Sequence, residues 1–215
     1  MLEIIIKGRM MMIPLLALSI VSLAVVIDRV CAFWSNSRVH TRALRAQLMR
    51  HLKRGEVKEA GMLCMSTPGP VSAVLLAGLQ AYSGLEKRTP ENLRMTVGEA
   101  MEDHAMHSMS AVEKRLWILS TVGNAAPLFG MTGTVIGMIK SFDQLAQMAD
   151  TASVGVGISE ALITTAGGLL VALGAVIPYS IFSSSAENIE LEVDESASEM
   201  LKFLASEAEK AEVAG

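Results

Sequence analysis

Three long stretches of this chain carry no charge. They run from Met10 to Ile27 (18 residues), from Leu116 to Ile139 (24 residues) and from Ala161 to Ala186 (26 residues). A helix needs about 20 apolar residues to cross the hydrocarbon core of a bilayer. Inside that core every backbone N–H and C=O must find its partner within the protein, which leaves the helix as the natural form for such a run. The three runs therefore predict three transmembrane helices. The first ends in Asp28-Arg29 rather than in the small-residue site of a cleaved signal peptide. Composition points the same way. Charged residues are 19% of the chain, below the roughly 25% of soluble domains. Seventeen glycines with only 4% aromatics suit helices that approach closely in lipid. A net charge of −4 argues against a nucleic-acid partner. Cys31 and Cys64 show no pairing pattern and read as free thiols. The expected fold class is an all-α integral membrane protein. It has three transmembrane helices, a helical cytoplasmic domain and long helices extending into the cytoplasm.

Charge placement orients the spans. Residues 30–115 hold 12 Lys/Arg against 8 Asp/Glu, with Arg29, Arg38, Arg42 and Arg45 close behind the first span and Lys114-Arg115 just before the second. Residues 140–159 offer only Lys140 against Asp143 and Asp150. Basic residues near span ends stay in the cytoplasm. The expected order is then residues 1–29 as N-terminal segment and first span, and 30–115 as a helical cytoplasmic domain. Residues 116–141 form the second span, 142–152 a short periplasmic loop, 153–182 the third span, and 183–215 an acidic cytoplasmic tail. The N-terminus is periplasmic and the C-terminus cytoplasmic.

Breakers divide the cytoplasmic part. A basic amphipathic helix from Arg38 to Arg54 ends at Gly55. A short helix from Glu56 to Met65 stops at Thr67-Pro68-Gly69-Pro70, and an apolar helix follows from Val71 to Tyr82. Thr89-Pro90-Glu91 reads as an N-cap followed by proline at the first helical position. With no breaker before Pro127, that helix is expected to run unbroken into the second span. The tail from Glu187 holds nine acidic residues and two lysines, and reads as a solvated helix.

The spans also carry polar groups. Gly123, Pro127, Gly130, Thr134, Gly137 and Ser141 recur at helical spacing and share one face of the second span. Gly133 and Gly137 form a small-xxx-small pair that permits close helix approach. On the third span Glu160, Thr164, Gly167 and Val171 share one face, and Ala161, Thr165, Gly168 and Ala172 the next. Gly130, Gly133, Gly137, Gly167 and Gly168 are the packing candidates. Glu160 reads either as a cap at the headgroups or as a carboxylate inside the membrane facing a bundle interior. Glu102, Asp103, His104 and His107 have helical ligand spacing but no third cluster, so a solvated face is expected and no metal. No nucleophile–base set and no phosphate loop is evident, so neither an enzyme nor a cofactor is expected.

The run Gly123 to Met138, GNAAPLFGMTGTVIGM, resembles the second-span signature of the MotA/TolQ/ExbB proton channel family. Gly157 to Leu169, GISEALITTAGGL, resembles its third-span signature, and Asp28-Arg29 matches an acidic-Arg pair common at the end of its first span. Three spans favour the ExbB/TolQ-like branch over the four-span flagellar branch. The resemblance implies a bacterial inner-membrane protein that forms a homopentamer around the single spans of an ExbD/TolR-like partner. Proton motive force would drive this motor, and a TonB- or TolA-like protein would carry the work towards the outer membrane. The proton-carrying aspartate belongs to that partner. Thr134 matches the family's pore threonine on the second span, and Glu160 and Thr165 its glutamate and threonine on the third. The face analysis sets Thr164 beside Glu160, so Thr164 stays with the ion-pathway candidates. A family proline on the third span is Gly174 here, with Pro178 one turn later. The competing reading is a non-conducting membrane scaffold whose basic loop recruits cytosolic proteins.

Overall fold

A computed structural model describes residues 12–36, 41–85, 89–146 and 151–214. All described secondary structure is helical. The helices are α1 (Met12–Asn36), α2 (Thr41–Lys53), α3 (Val57–Ser66), α4 (Pro70–Gly84), α5 (residues 90–113), α6 (Leu116–Ala146) and α7 (Thr151–Ala214). Of these, α1, α6 and α7 are long and apolar enough to cross a membrane. The chain divides into two compact units. One comprises Met1–Cys31 with Arg115–Phe182, and the other Ala32–Lys114 with Ser183–Gly215.

Local chemistry sets the ends of the short helices. Gly55 closes the turn after α2 at φ 74°, a left-handed value that suits glycine. Gly69 at φ 138° reverses the chain, and Pro70 opens α4 at the first helical position. The Thr89 side chain accepts from the Asn92 N–H at 3.3 Å and caps α5, with Pro90 behind it. A π turn at Leu93–Val97 then leads into Gly98–Glu113.

In two places the structure departs from the expected elements. The helix that begins at Pro90 does not run into the second span. It ends at Glu113, Lys114 is extended (φ −48°, ψ 129°), and Arg115 takes φ 70° before α6 starts at Leu116. No glycine or proline marks this break. The Arg115 guanidinium is instead held by Asp28 at 3.1 Å. The tail is also not wholly solvated. Val193, Ser196, Met200 and Leu204 recur at helical spacing and are buried, while Asp194, Glu195 and Glu199 face out.

That stripe of α7 is part of the core of its unit. Leu48, Leu52, Ala60, Cys64, Val71, Val74, Leu75, Leu79, Leu93, Val97 and Met101 complete the cluster around Val193, Met200 and Leu204. At Gly78 a Cβ would stand 2.7 Å from the Met101 Sδ, and the Met200 methyl also crowds it, so only glycine fits without rearrangement. Burial pushes the Cys64 thiol up to about 11. Arg45 bridges Glu195 at 3.2 Å and Glu199 at 3.1 Å. These pairs are exposed and contribute on the order of 0–1 kcal/mol, so the apolar stripe decides the packing of the tail. Met200→Ala should therefore destabilise the protein by about 2–5 kcal/mol, the usual cost of truncating a fully buried methionine. Urea unfolding followed by circular dichroism checks this, and an unchanged midpoint would return the tail to solvent.

Candidate functional site

In lipid there is little hydrophobic drive to join helices, so association rests on close van der Waals contact between small residues. α6 and α7 follow this rule. They run antiparallel, with Gly123 against Val176, Gly130 against Thr165, Gly137 against Ala161 and Ser141 against Gly157. A Cβ on Gly137 would lie 2.6 Å from that of Ala161. One on Gly168 would lie 2.6 Å from the Ala126 carbonyl oxygen and 3.0 Å from the Gly130 Cα. Here backbone meets backbone, and no side chain can give way. Gly133 is buried on the same helix. Gly167 faces α1, where a Cβ would make an ordinary 3.7 Å contact with the Met12 sulfur. Met12 and Leu15 of α1 pack with Ala126 and Ala172, joining the first span to the other two.

The polar groups gather at the middle of this seam. The Thr165 hydroxyl donates across it to the Gly130 carbonyl at 3.0 Å. Thr164 is buried and donates to the carbonyl of Glu160 at 2.9 Å. Thr134 is half-buried and donates to the Met131 carbonyl at 2.7 Å. It stands one turn from Gly130 towards Gly137, so it lies between the levels of Thr165 and Ala161. Glu160 is half-buried beside Ala161. Thr134, Glu160, Thr164 and Thr165 thus fall within about two turns of one helix pair. Each hydroxyl that donates to a backbone carbonyl keeps lone pairs for a water or an incoming acid. Ser141 lies at the far end of the seam and donates to the Gly137 carbonyl at 3.0 Å.

The structure distinguishes the two threonines. Thr164 bonds within its own helix, whereas Thr165 ties α7 to α6. Spacing alone does not separate neighbours 100° apart, because the buried face is wide enough to hold Thr164 and to reach Thr165 at its edge. Sequence reasoning also gives no partner for Asp28 beyond its neighbour. Asp28 accepts from Arg29 Nη2 at 2.7 Å and Nε at 3.0 Å, and pairs with Arg115 Nη1 at 3.1 Å. This bridge joins the end of the first span to the start of the second. The opposite charges at the two span ends are its signal in the sequence. Glu102, Asp103, His104 and His107 are not buried. Among the described residues no three His, Cys, Asp or Glu side chains come together to hold a metal.

Comparison with known proteins places this arrangement. The MotA/TolQ/ExbB proton channel family matches residues 67–195. The chain is 38% identical over 130 residues to the Tol-Pal system protein TolQ of Pseudomonas aeruginosa, covering 57% of this chain and 56% of that protein. The match therefore spans about half the length of that relative. It is 31% identical over 183 residues to the putative biopolymer transport protein ExbB-like 1 of Synechocystis sp., covering 83% and 68%. It is 29% identical over 198 residues to the biopolymer transport protein ExbB of Salmonella typhimurium, covering 88% and 78%.

The seam makes a sharp expectation. Gly137→Leu and Gly168→Leu should each separate α6 from α7 and lower the temperature at which the detergent-solubilised protein aggregates. Gly155→Leu is the control, since nothing lies within 4 Å of a Cβ there. Thr165→Val should cost about 0.6 kcal/mol, at most about 1.7, the range for hydrogen bonds between membrane helices. Wild-type behaviour of Gly168→Leu would mean that the two helices do not meet.

Proposed function

The chain belongs to the MotA/TolQ/ExbB proton channel family, and from that premise we propose that it is an ExbB/TolQ-like subunit of an inner-membrane proton channel and motor. It couples proton motive force, through an ExbD/TolR-like single-span partner, to a TonB- or TolA-like transducer acting on the outer membrane. The observation that carries this reading is the Thr165–Gly130 hydrogen bond, with Thr134 and Glu160 gathered beside it in otherwise apolar helices. A scaffold needs no hydroxyls and no carboxylate at that depth.

The mechanism follows from what these groups offer. Copies of the chain, five in the family's arrangement, surround the partner's span with faces rich in small and hydroxyl-bearing residues. Threonine hydroxyls order water and relay a proton without the desolvation cost of a permanent charge. A carboxyl on the partner then switches between neutral and ionised as it meets drier or wetter walls, since burial favours the neutral acid and hydroxyl donors favour the anion. Glu160 tunes that carboxyl through its own charge. The chain forms no covalent intermediate in this scheme and is not an enzyme. The basic residues after the first span hold residues 30–115 in the cytoplasm, with the N-terminus periplasmic and the C-terminus cytoplasmic.

Thr134→Val and Thr165→Val keep side-chain shape and remove the hydroxyl. Both should assemble at normal abundance yet fail to support growth that depends on the powered process. Thr165→Ser restores the hydroxyl and should restore growth, which a purely steric role would not require. Glu160→Gln should impair coupling less completely. Full growth of the Thr134→Val, Thr165→Val double variant would favour the scaffold. Orientation is tested separately. In a Cys31→Ala background, Ala146→Cys should react with a membrane-impermeant maleimide in cells whose outer membrane is permeabilised, and Gln47→Cys should not. The reverse pattern would invert the topology.

A further inference from the structure

Asn124 lies eight residues into α6, about 12 Å from its start and so within the span. It is exposed, and its neighbours on that side, Leu128, Met131 and Val135, are exposed and apolar. Thr121 and Thr132 are exposed too, but they donate to the carbonyls of Trp117 and Leu128 at 2.9 and 2.8 Å on their own helix. The Asn124 carboxamide makes no hydrogen bond among the described residues. Those apolar neighbours set this face apart from the threonine-bearing one, and lipid tails cannot satisfy the carboxamide's donors and acceptor, which calls for another protein surface.

A matching acceptor lies on α7. Pro178 has no N–H to return to the carbonyl of Gly174 one turn earlier, and a proline ring inside a helix crowds the carbonyl at that position. Gly174 is exposed, and nothing lies within 4 Å of its Cβ position, so the backbone there is open to approach. Because Gly123 abuts Val176, Asn124 and Gly174 lie at one level of the membrane. Each is on the exposed side of its helix, away from the seam. One protomer therefore presents a donor on one helix and an under-satisfied acceptor on the other.

We propose that Asn124 of one copy donates from its carboxamide to the Gly174 carbonyl of the next copy, so that α6 of each protomer meets α7 of its neighbour at this level. Such a head-to-tail contact uses two different patches, so it joins copies in series rather than as a two-fold dimer, and in the closed assembly of the reading above the series is a ring. The inference rests on the reading above that copies of this chain assemble, and adds which surfaces meet.

The test uses the full chain in native membranes with Cys31→Ala, which removes the exposed native thiol and leaves Cys64 buried. Two differently tagged chains, one Asn124→Cys and one Gly174→Cys, are produced together and oxidised. The expected product is a mixed dimer with little of either like-with-like dimer. The double variant on one chain should give a ladder reaching the size of the ring. Asn124→Leu should weaken association about threefold per contact, the scale of one intramembrane hydrogen bond. Native mass spectrometry of the wild type separates the two claims. An oligomer without the mixed dimer, or with Asn124→Cys chains joined to themselves, overturns the contact alone. A monomer overturns the contact and the assembly on which it rests.

Discussion

The close approach of α6 and α7 is the constraint on which the membrane unit depends. Lipid tails are as apolar as leucine, so large side chains gain nothing by leaving lipid for a helix partner. What holds the helices is contact between backbones, and that requires glycine or alanine wherever they cross. Gly130, Gly137 and Gly168 meet this condition with only 2.6–3.1 Å between a hypothetical Cβ and the opposing chain. The same closeness lets the Thr165 hydroxyl reach the Gly130 carbonyl. Packing and candidate chemistry are therefore one feature. A bulkier residue at Gly130 would both open the seam and remove the geometry that positions Thr165.

Much of this is legible in the sequence. The charge-free runs mark the apolar helices, since about 20 residues without charge are rare outside a membrane span. Gly55, Gly69-Pro70 and Thr89-Pro90 mark helix ends through backbone rules that act locally. The break at Lys114-Arg115 is invisible there because neither residue is a breaker. It coincides with a tertiary ion pair between Arg115 and Asp28, two residues far apart in the chain. The buried stripe of the tail is hidden by its surroundings. Val193, Met200 and Leu204 stand among so many acidic residues that the composition reads as solvated, although their spacing is helical.

The candidate site is legible in residue type and less so in geometry. Thr134, Glu160, Thr164 and Thr165 stand out because hydroxyls and a carboxylate are rare in such runs. Periodicity places Thr134 on the small face of α6, yet the structure leaves it half-buried at the margin, bonded to its own helix. A helical wheel assigns an angle but not the width of the contact. Where opposing residues are glycine and alanine the contact is narrow, and a residue about 40° from Gly130 already reaches its edge.

α7 makes the governing principle visible within one continuous helix. Between Ala161 and Ala175 the buried side holds Ala161, Thr164, Gly168, Ala172 and Ala175, and the exposed side holds Leu162, Leu169, Leu170 and Leu173. Between Val193 and Leu204 the order inverts. Val193, Met200 and Leu204 are buried, while Asp194, Glu195 and Glu199 are exposed. One backbone geometry serves both halves, so the difference lies in the solvent. In lipid, leucine faces outward at no cost and small residues turn in to gain contact. In water, leaving a buried methionine or leucine exposed would forfeit about 1.5–3 kcal/mol each, so the large residues turn in and carboxylates face out. The exchange of small for large residues on the buried side therefore marks where α7 passes from bilayer to water, and it is carried by the side chains alone.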